Sequence, residues 1–173
     1  MLKVKSGEVR LLGNLYERYK KWLFNFFLQM NGDRDLSEDL VQNVFMRILK
    51  YKHTYTEESK FVTWMFQIAR NTQNDHFRKN AKQREDVKLE DVAFKMESTN
   101  SYERDIDQEG AHKLLHYALQ QLSEDKREVL VLSKLKELKY REVAEVLNCS
   151  EEAARTKAHR ALKELRNIYL ELQ

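Results

Sequence analysis

Apolar side chains recur at spacings of three and four through almost every stretch of this chain, and little interrupts them: among 173 residues there is no proline and there are only 4 glycines. Turns in β and α/β folds lean on those two residue types, whereas apolar positions at i, i+3, i+4 and i+7 mark one buried face of a helix. The expected fold class is all-α. A chain of this length holds one ordinary domain or two small ones, and the pattern below divides it into two small helical domains joined by a linker.

The first helical pattern covers residues 11–30, with Leu12, Leu15, Tyr16, Tyr19, Trp22, Leu23, Phe26 and Phe27 on one side and Gly32 placed to end it. Asp35-Leu-Ser-Glu38 then reads as a capping box for a second helix running to about Lys52. Its inner side carries Leu36, Leu40, Val41, Val44, Phe45, Ile48 and Leu49, which leaves Asp39, Gln42, Asn43, Met46 and Arg47 together outside. On pattern alone such a stripe is a solvated face.

Residues 51–59 are rich in aromatic and hydroxyl groups without a helical period, so a loop is expected there. Phe61, Trp64, Met65, Ile68, Ala69 and Thr72 define the inner face of a third helix to about Asn80, whose last turns carry Arg70, Asn71, Asn74, His76, Arg78 and Lys79. Cations at a helix C-terminus complement its dipole. Cations beside a loop bearing aromatic rings also suit a single nucleic-acid strand, because rings stack on bases while charges follow phosphates.

Between residues 81 and 110 the period fails and 9 acidic residues outnumber 5 basic ones, as expected of an interdomain linker. The flanking segments are basic: 14 Lys and Arg against 9 Asp and Glu before it, and 12 against 10 after it. The overall formal charge of +3 is too small to identify a nucleic-acid binder, so this distribution carries more information than the sum.

The helical pattern resumes at Ala111 with Leu114, Leu115, Ala118, Leu119 and Leu122. His112 and His116 stand four apart, but Lys113 occupies the place of the glutamate in a zinc-protease H-E-x-x-H, so solvated histidines and no metal are expected. Ser123 is positioned as an N-cap, and Val129, Leu130, Leu132 and Leu135 supply core behind it.

Residues 138–165 outline a helix-turn-helix. Val143, Ala144, Val146 and Leu147 face inward from its first helix, Asn148 suits a left-handed corner, and Ser150 caps the second helix. That helix offers Glu151, Glu152, Arg155, Thr156, Lys157, His159 and Arg160 as donors and acceptors for a DNA major groove, anchored by Leu162 and Leu165. Ala153 and Ala154 either allow close approach to a duplex or favour helix. Cys149 at the corner is expected to be a small packing residue.

Taken in order, Asp39-Leu-Val-Gln-Asn-Val-Phe45, Phe61-x-x-Trp-Met-Phe-Gln-Ile-Ala-Arg-Asn71 and Asp75-His-Phe-Arg78 resemble region 2 of bacterial extracytoplasmic-function (ECF) sigma factors. Leu122-Ser-Glu-Asp-Lys-Arg-Glu-Val-Leu130, Tyr140-Arg-Glu-Val-Ala-Glu-Val-Leu147 and His159-Arg-Ala-Leu-Lys-Glu-Leu-Arg166 resemble their region 4. The resemblance implies a region 2-like domain over residues 1–80, an acidic linker over 81–110 and a region 4-like domain over 111–173. It implies docking on RNA polymerase core through Asp39, Gln42, Asn43, Met46 and Arg47. Melting and reading of the promoter −10 element fall to Lys52, His53, Thr54, Tyr55, Lys60, Arg70, Asn71, Asn74, Arg78 and Lys79, with an extruded base held in the loop before the third helix. Reading of the −35 element falls to Tyr140, Arg141, Ser150, Glu151, Glu152, Arg155, Thr156, Lys157, His159 and Arg160. The resemblance also implies that the linker follows the polymerase's RNA-exit path and that an anti-sigma factor restrains the protein. No cofactor, metal or small-molecule substrate is implied.

The sequence departs from the family's habit at several points. Asn43 stands where glutamate is common, Glu137 and Lys139 replace a glycine and a serine, Asn148 replaces the corner glycine, and Glu152-Ala-Ala154 replaces Gly-Thr-Val. The −35 sequence therefore does not carry over. An autonomous helix-turn-helix regulator is the competing reading, but no heptad-bearing dimer helix is evident and it leaves the N-terminal half without a role. An enzyme lacks any nucleophile and base pair, metal cluster or glycine-rich phosphate loop here. No apolar run approaches the ~18 residues of a membrane span, residues 1–9 lack a signal-peptide core, and one cysteine forms no internal disulfide. A cytoplasmic protein is expected.

Overall fold

The computed structural model describes residues 1–86 and 106–172, and all its regular elements are helical. A short α1 (Leu2–Lys5) and a 3-10 turn (Val9–Leu11) precede α2 (Leu12–Asn31). Gly32 ends α2 with φ 73°, its amide donating back to Leu28 O at 2.9 Å. That left-handed position is where a side chain is strained and glycine is not.

The start of α3 (Arg34–Tyr51) corrects the expected capping box. Asp33, extended at φ −108°, is the cap, and its Oδ1 accepts from Leu36 N at 2.9 Å. It follows directly on the glycine turn, so its carboxylate reaches the free amides first; Asp35 lies inside the first turn and Glu38 pairs with Arg34 at 3.3 Å. A 3-10 turn (Lys52–Thr54) leads into the loop before α4 (Phe61–Asp86). Helix α4 reaches past Asn80, and α5 (Ile106–Gln121) begins before Ala111, so helix extends into both ends of the stretch expected as linker. The middle of that stretch, 87–105, lies outside the described residues.

Leu23, Phe26, Phe27 and Met30 of α2, Leu40, Val44 and Ile48 of α3, and Met65, Phe66 and Ala69 of α4 are buried together. Edge-to-face contacts of Phe26 with Phe27 and with Phe66, centroids 5.2 and 5.3 Å apart, join α2 to α4. Trp22, expected on this face, is 43% exposed at its edge.

In the second half, α6 (Glu124–Leu130) continues through a π-helical turn (Val131–Leu135), followed by α7 (Tyr140–Leu147) and α8 (Glu151–Glu171). Ala154, Ala158, Ala161 and Leu165 form the inner face of α8, and the three alanines allow it to pack close against α6 and α7. Leu162 lies outside that stripe and is exposed, which corrects its role as an anchor. Cys149 is exposed too, because the left-handed Asn148 (φ 53°, ψ 53°) turns the corner outward instead of packing it.

The buried residues of both halves form one continuous cluster. Arg127 stitches them: its guanidinium donates to Leu119 O (2.9 Å), Gln120 O (2.8 Å), Leu122 O (3.0 Å) and, across the boundary, Met30 O. Carbonyls left over at the ends of α2 and α5 are thereby satisfied by one side chain.

Candidate polymerase and promoter interfaces

The outer face of α3 presents Asp39, Gln42, Asn43 and Met46 to solvent, Met46 at 67% exposure. A methionine side chain is unbranched and polarizable, so it adapts to the shape of whatever apolar surface meets it. Arg47 leans away from this face and pairs with Asp75 of α4 at 2.8 Å; the other Asp75 oxygen accepts from Arg78 at 2.9 Å.

The loop before α4 is more closed than expected. Tyr55 is buried, with Phe61 and Trp64 at ring-centroid distances of 6.1 and 5.3 Å, its hydroxyl facing Ser59 O at 3.4 Å. Burial raises its phenol pKa. Lys5 Nζ donates to Tyr55 O at 2.6 Å, so α1 braces the loop from behind. Tyr55 is thus the floor of the loop and presents no free ring face to a base; apolar packing outcompetes exposure for a large ring. His53 and Thr54 are exposed and Lys52 half-buried.

Along α4, Asn71, Asn74, Arg78 and Lys79 are exposed. Lys60 and Arg70 instead engage the C-terminal half. Lys60 Nζ lies 2.7 Å from Glu142 Oε1 and Arg70 Nε 3.1 Å from both oxygens of Glu128. Burial pushes the Glu128 carboxyl above its ordinary range, and Arg70 opposes that shift. Glu142 is pulled down by its bond from Lys60.

The helix-turn-helix is built as expected at its corner: Ser150 Oγ accepts from Ala153 N at 3.1 Å and caps α8. Lysine has no acceptor to complete a box at Lys139, so α7 keeps half of one, with Glu142 Oε2 accepting from Lys139 N at 2.9 Å. Glu151, Glu152, Arg155, Thr156, His159 and Arg160 lie exposed on one side of α8, and Arg141 is exposed on α7. Arg155 is held twice, by Glu151 at 3.0 Å and over the Tyr140 ring at 5.5 Å. Lys157 pairs with Asp125 of α6 at 3.1 Å. An open groove of about 650 Å³ lined by Ser150, Thr156, Lys157 and Arg160 runs between α8 and the start of α6.

Sequence reasoning missed the acidic partners Glu124, Glu128 and Glu142, since no local period signals a contact across more than 50 residues. His116 is half-buried instead of fully solvated, with its Nδ1 3.2 Å from Gln29 Oε1. Burial first and Arg127 second lower its pKa. The side chain of His112 lies outside the described residues. Among the described residues no group of three or more metal-ligating side chains converges, and no helix is long and apolar enough to cross a membrane.

Residues 15–83 match Sigma-70 region 2, and residues 112–165 match Sigma-70, region 4. The ECF RNA polymerase sigma factor SigM of Bacillus subtilis is 32% identical over 91% of this chain and 94% of its own length. The chain belongs to the ECF sigma factors. SigX of the same organism is also 32% identical, over 88% of this chain and 80% of SigX. The sigma factor fold is seen again in RpoE of Bartonella quintana, solved in complex with the anti-sigma factor NepR. That structure gives a TM-score of 0.71 at 23% identity, covering 90% of this chain and 94% of that one. Region 2 of this sigma factor is accordingly built on α2, α3 and α4, and region 4 on α5 to α8.

Proposed function

We propose that this sigma factor binds RNA polymerase core and directs promoter-specific initiation, reading a −35 element in duplex form and a −10 element as it opens. The observation that carries this reading is the ordered pair of region 2 and region 4 on one chain, within a relationship to SigM that spans nearly the whole of both proteins. The exposed side of α3, centred on Asp39, Gln42, Asn43 and Met46, docks on core. Arg47 flanks that contact and ties it to α4.

His53, Thr54, Asn71, Asn74, Arg78 and Lys79 face the −10 strand from the loop and α4, joined by Lys52, Lys60 and Arg70. Tyr55 supports the loop from within. The exposed side of α8, with Ser150 at its cap and Tyr140 and Arg141 on α7, faces the −35 duplex. The protein acts in the cytoplasm as a non-enzymatic initiation factor with no cofactor, and an anti-sigma factor is its restraining partner; RpoE was solved in complex with an anti-sigma factor, NepR. Run-off transcription with purified core polymerase on a genomic promoter library tests the reading. Specific initiation upon addition of the protein is expected, and initiation unchanged by the addition overturns it.

A further inference from the structure

Residues 52–59, in the loop before α4, are tied together mostly by themselves. Thr54 Oγ1 donates to Tyr51 O at 2.8 Å, and the Tyr55 hydroxyl faces Ser59 O at 3.4 Å. Among the described residues, the one hydrogen bond that reaches them from outside the loop and its flanking helices comes from Lys5, whose Nζ donates to Tyr55 O at 2.6 Å. That carbonyl sits where the chain leaves the 3-10 turn, at φ −67° and ψ 129°. A peptide group is planar, so holding its oxygen restrains both the last torsion of Tyr55 and the first of Thr56. The donor is charged, which makes the bond one of the stronger kind.

A short N-terminal device puts Lys5 there. Helix α1 has only four residues, too few to persist in water by itself. It packs on the 3-10 turn Lys52–Thr54, and its Val4 is buried. Gly7, at φ 117°, reverses the chain after it: Glu8 N donates to Lys3 O at 2.9 Å and Gly7 N to Val4 O at 3.3 Å, the paired bonds that close a helix with glycine just past its end. Val4 and Tyr55 are both buried, yet neither belongs to the continuous core of the two halves. Loop and brace therefore stand on packing of their own and can lose their shape while the core stays folded. The match to region 2 starts at residue 15, so α1 lies outside it.

A site built on a loop is placed only as well as the contacts behind it. We propose, on the sigma-factor reading of this loop, that α1 is a positioning element for capture of the −10 base: Lys5, anchored through Val4, holds the Tyr55 peptide so that His53 and Thr54 meet the opened strand in one geometry. Lys5 acts through Tyr55 and is not itself a strand contact. Its bond is no part of the outer face of α3 or of the exposed side of α8, so docking on core and −35 contact survive its loss.

Holoenzyme is assembled from purified core polymerase and the full chain as wild type, Lys5→Ala, Lys5→Arg or Lys3→Ala. The probe is a fluorescein-labelled fork DNA carrying a promoter on which wild type initiates, duplex through the −35 element and single-stranded across the −10 element, with each −10 base substituted in turn. The ratio of Kd for substituted and preferred bases is read, because a uniform loss of folded protein does not move it. Lys5→Ala is expected to lower that ratio about fivefold at the captured base, and Lys5→Arg, which keeps a charged donor, to restore most of it. Lys3→Ala removes an exposed charge from the same helix and is expected to match wild type. If Lys5→Ala instead weakens all −10 sequences alike and reduces the salt slope by about 1, Lys5 is a phosphate contact and the positioning role is overturned. If wild type initiates on no promoter, the sigma-factor reading falls and the positioning role with it. If it initiates and Lys5→Ala keeps wild-type discrimination, the positioning role alone falls.

Discussion

Arg47 of α3 and Asp75 of α4 are joined at 2.8 Å, and the same carboxylate holds Arg78 at 2.9 Å. One acid thus links a residue beside the proposed polymerase face to one on the proposed DNA face. Arg47 and Asp75 are each about a third exposed, so water and salt screen the pair. Asp75→Asn is expected to lower stability by no more than ~1 kcal/mol, a shift of roughly 2–4 °C in Tm. Thermal unfolding checks this, and a loss of several times that size would mean that the triad is part of the core.

Glu142 accepts from both Lys60 Nζ and the Lys139 amide, and these bonds hold its carboxyl below its ordinary value near 4.5. A depressed carboxyl contributes stability that is present above the unfolded value and lost as pH falls through the folded one. Wild-type protein should therefore lose stability on acidification below about pH 4.5 more steeply than Glu142→Gln, which starts less stable at neutral pH. Urea midpoints measured between pH 3 and 7 give both slopes; parallel slopes would discount the pairing.

Helix existence and type were legible for α2 to α8 because each advertises a buried stripe, whereas the four-residue α1 is too short to show one; the stripe of α3 predicted both its core and its exposed polar face. The corner was legible for a local reason: Asn148 tolerates the left-handed region and Ser150 caps whatever follows it. What stayed hidden was non-local. Arg70 and Lys60 read as free cations because nothing near them in sequence says that Glu128 and Glu142 will face them. Tyr55 read as an exposed ring because a loop assignment carries no burial information. The capping error at Asp35 was one of register by two residues, where two aspartates compete and the one adjacent to Gly32 wins.

Glu137 adopts φ 55° at the second position after the π-helical turn. A side chain in the left-handed region is strained by roughly 1–2 kcal/mol, part of which glycine returns through its larger unfolded-state entropy. Glu137→Gly is expected to stabilise the protein by ~0.5–1 kcal/mol, whereas Glu137→Val should destabilise it. Chemical denaturation of the two variants beside wild type ranks them, and a destabilised glycine variant would show that the Glu137 side chain makes a favourable contribution.

His116 is half-buried against Gln29, with Arg127 nearby, and its pKa is lowered. For a base, a depressed folded value means that the neutral form suits the folded state. Its contribution is full above the unfolded value near 6.5 and declines as pH falls toward the folded one. Protonation here also brings a second cation towards the guanidinium that joins the halves through Met30 O. His116→Gln should flatten the stability profile between pH 7 and 5, read from urea midpoints, and an unchanged profile would assign the slope to other groups.

On α8, Arg155 and Lys157 are cations held in different ways, and the difference predicts different promoter phenotypes. Arg155 is fixed between Glu151 and the face of Tyr140, so its planar donors are pre-aimed outward for a base edge. Lys157 is a point charge tethered to Asp125 at the rim of the groove, better placed for a phosphate. In the polymerase holoenzyme, Arg155→Ala is expected to cost ~1–3 kcal/mol on the preferred −35 sequence and to relax discrimination at one position. Lys157→Ala should weaken all sequences alike and reduce the salt slope by about 1. Tyr140→Phe keeps the ring and should leave recognition near wild type, while Tyr140→Ala frees Arg155 and should reproduce part of its loss. Fluorescence anisotropy on duplexes varied across the −35 element, at several salt concentrations, separates these outcomes. Binding unchanged by either α8 substitution would remove both residues from the interface and move recognition toward Arg160 and the cap of the helix.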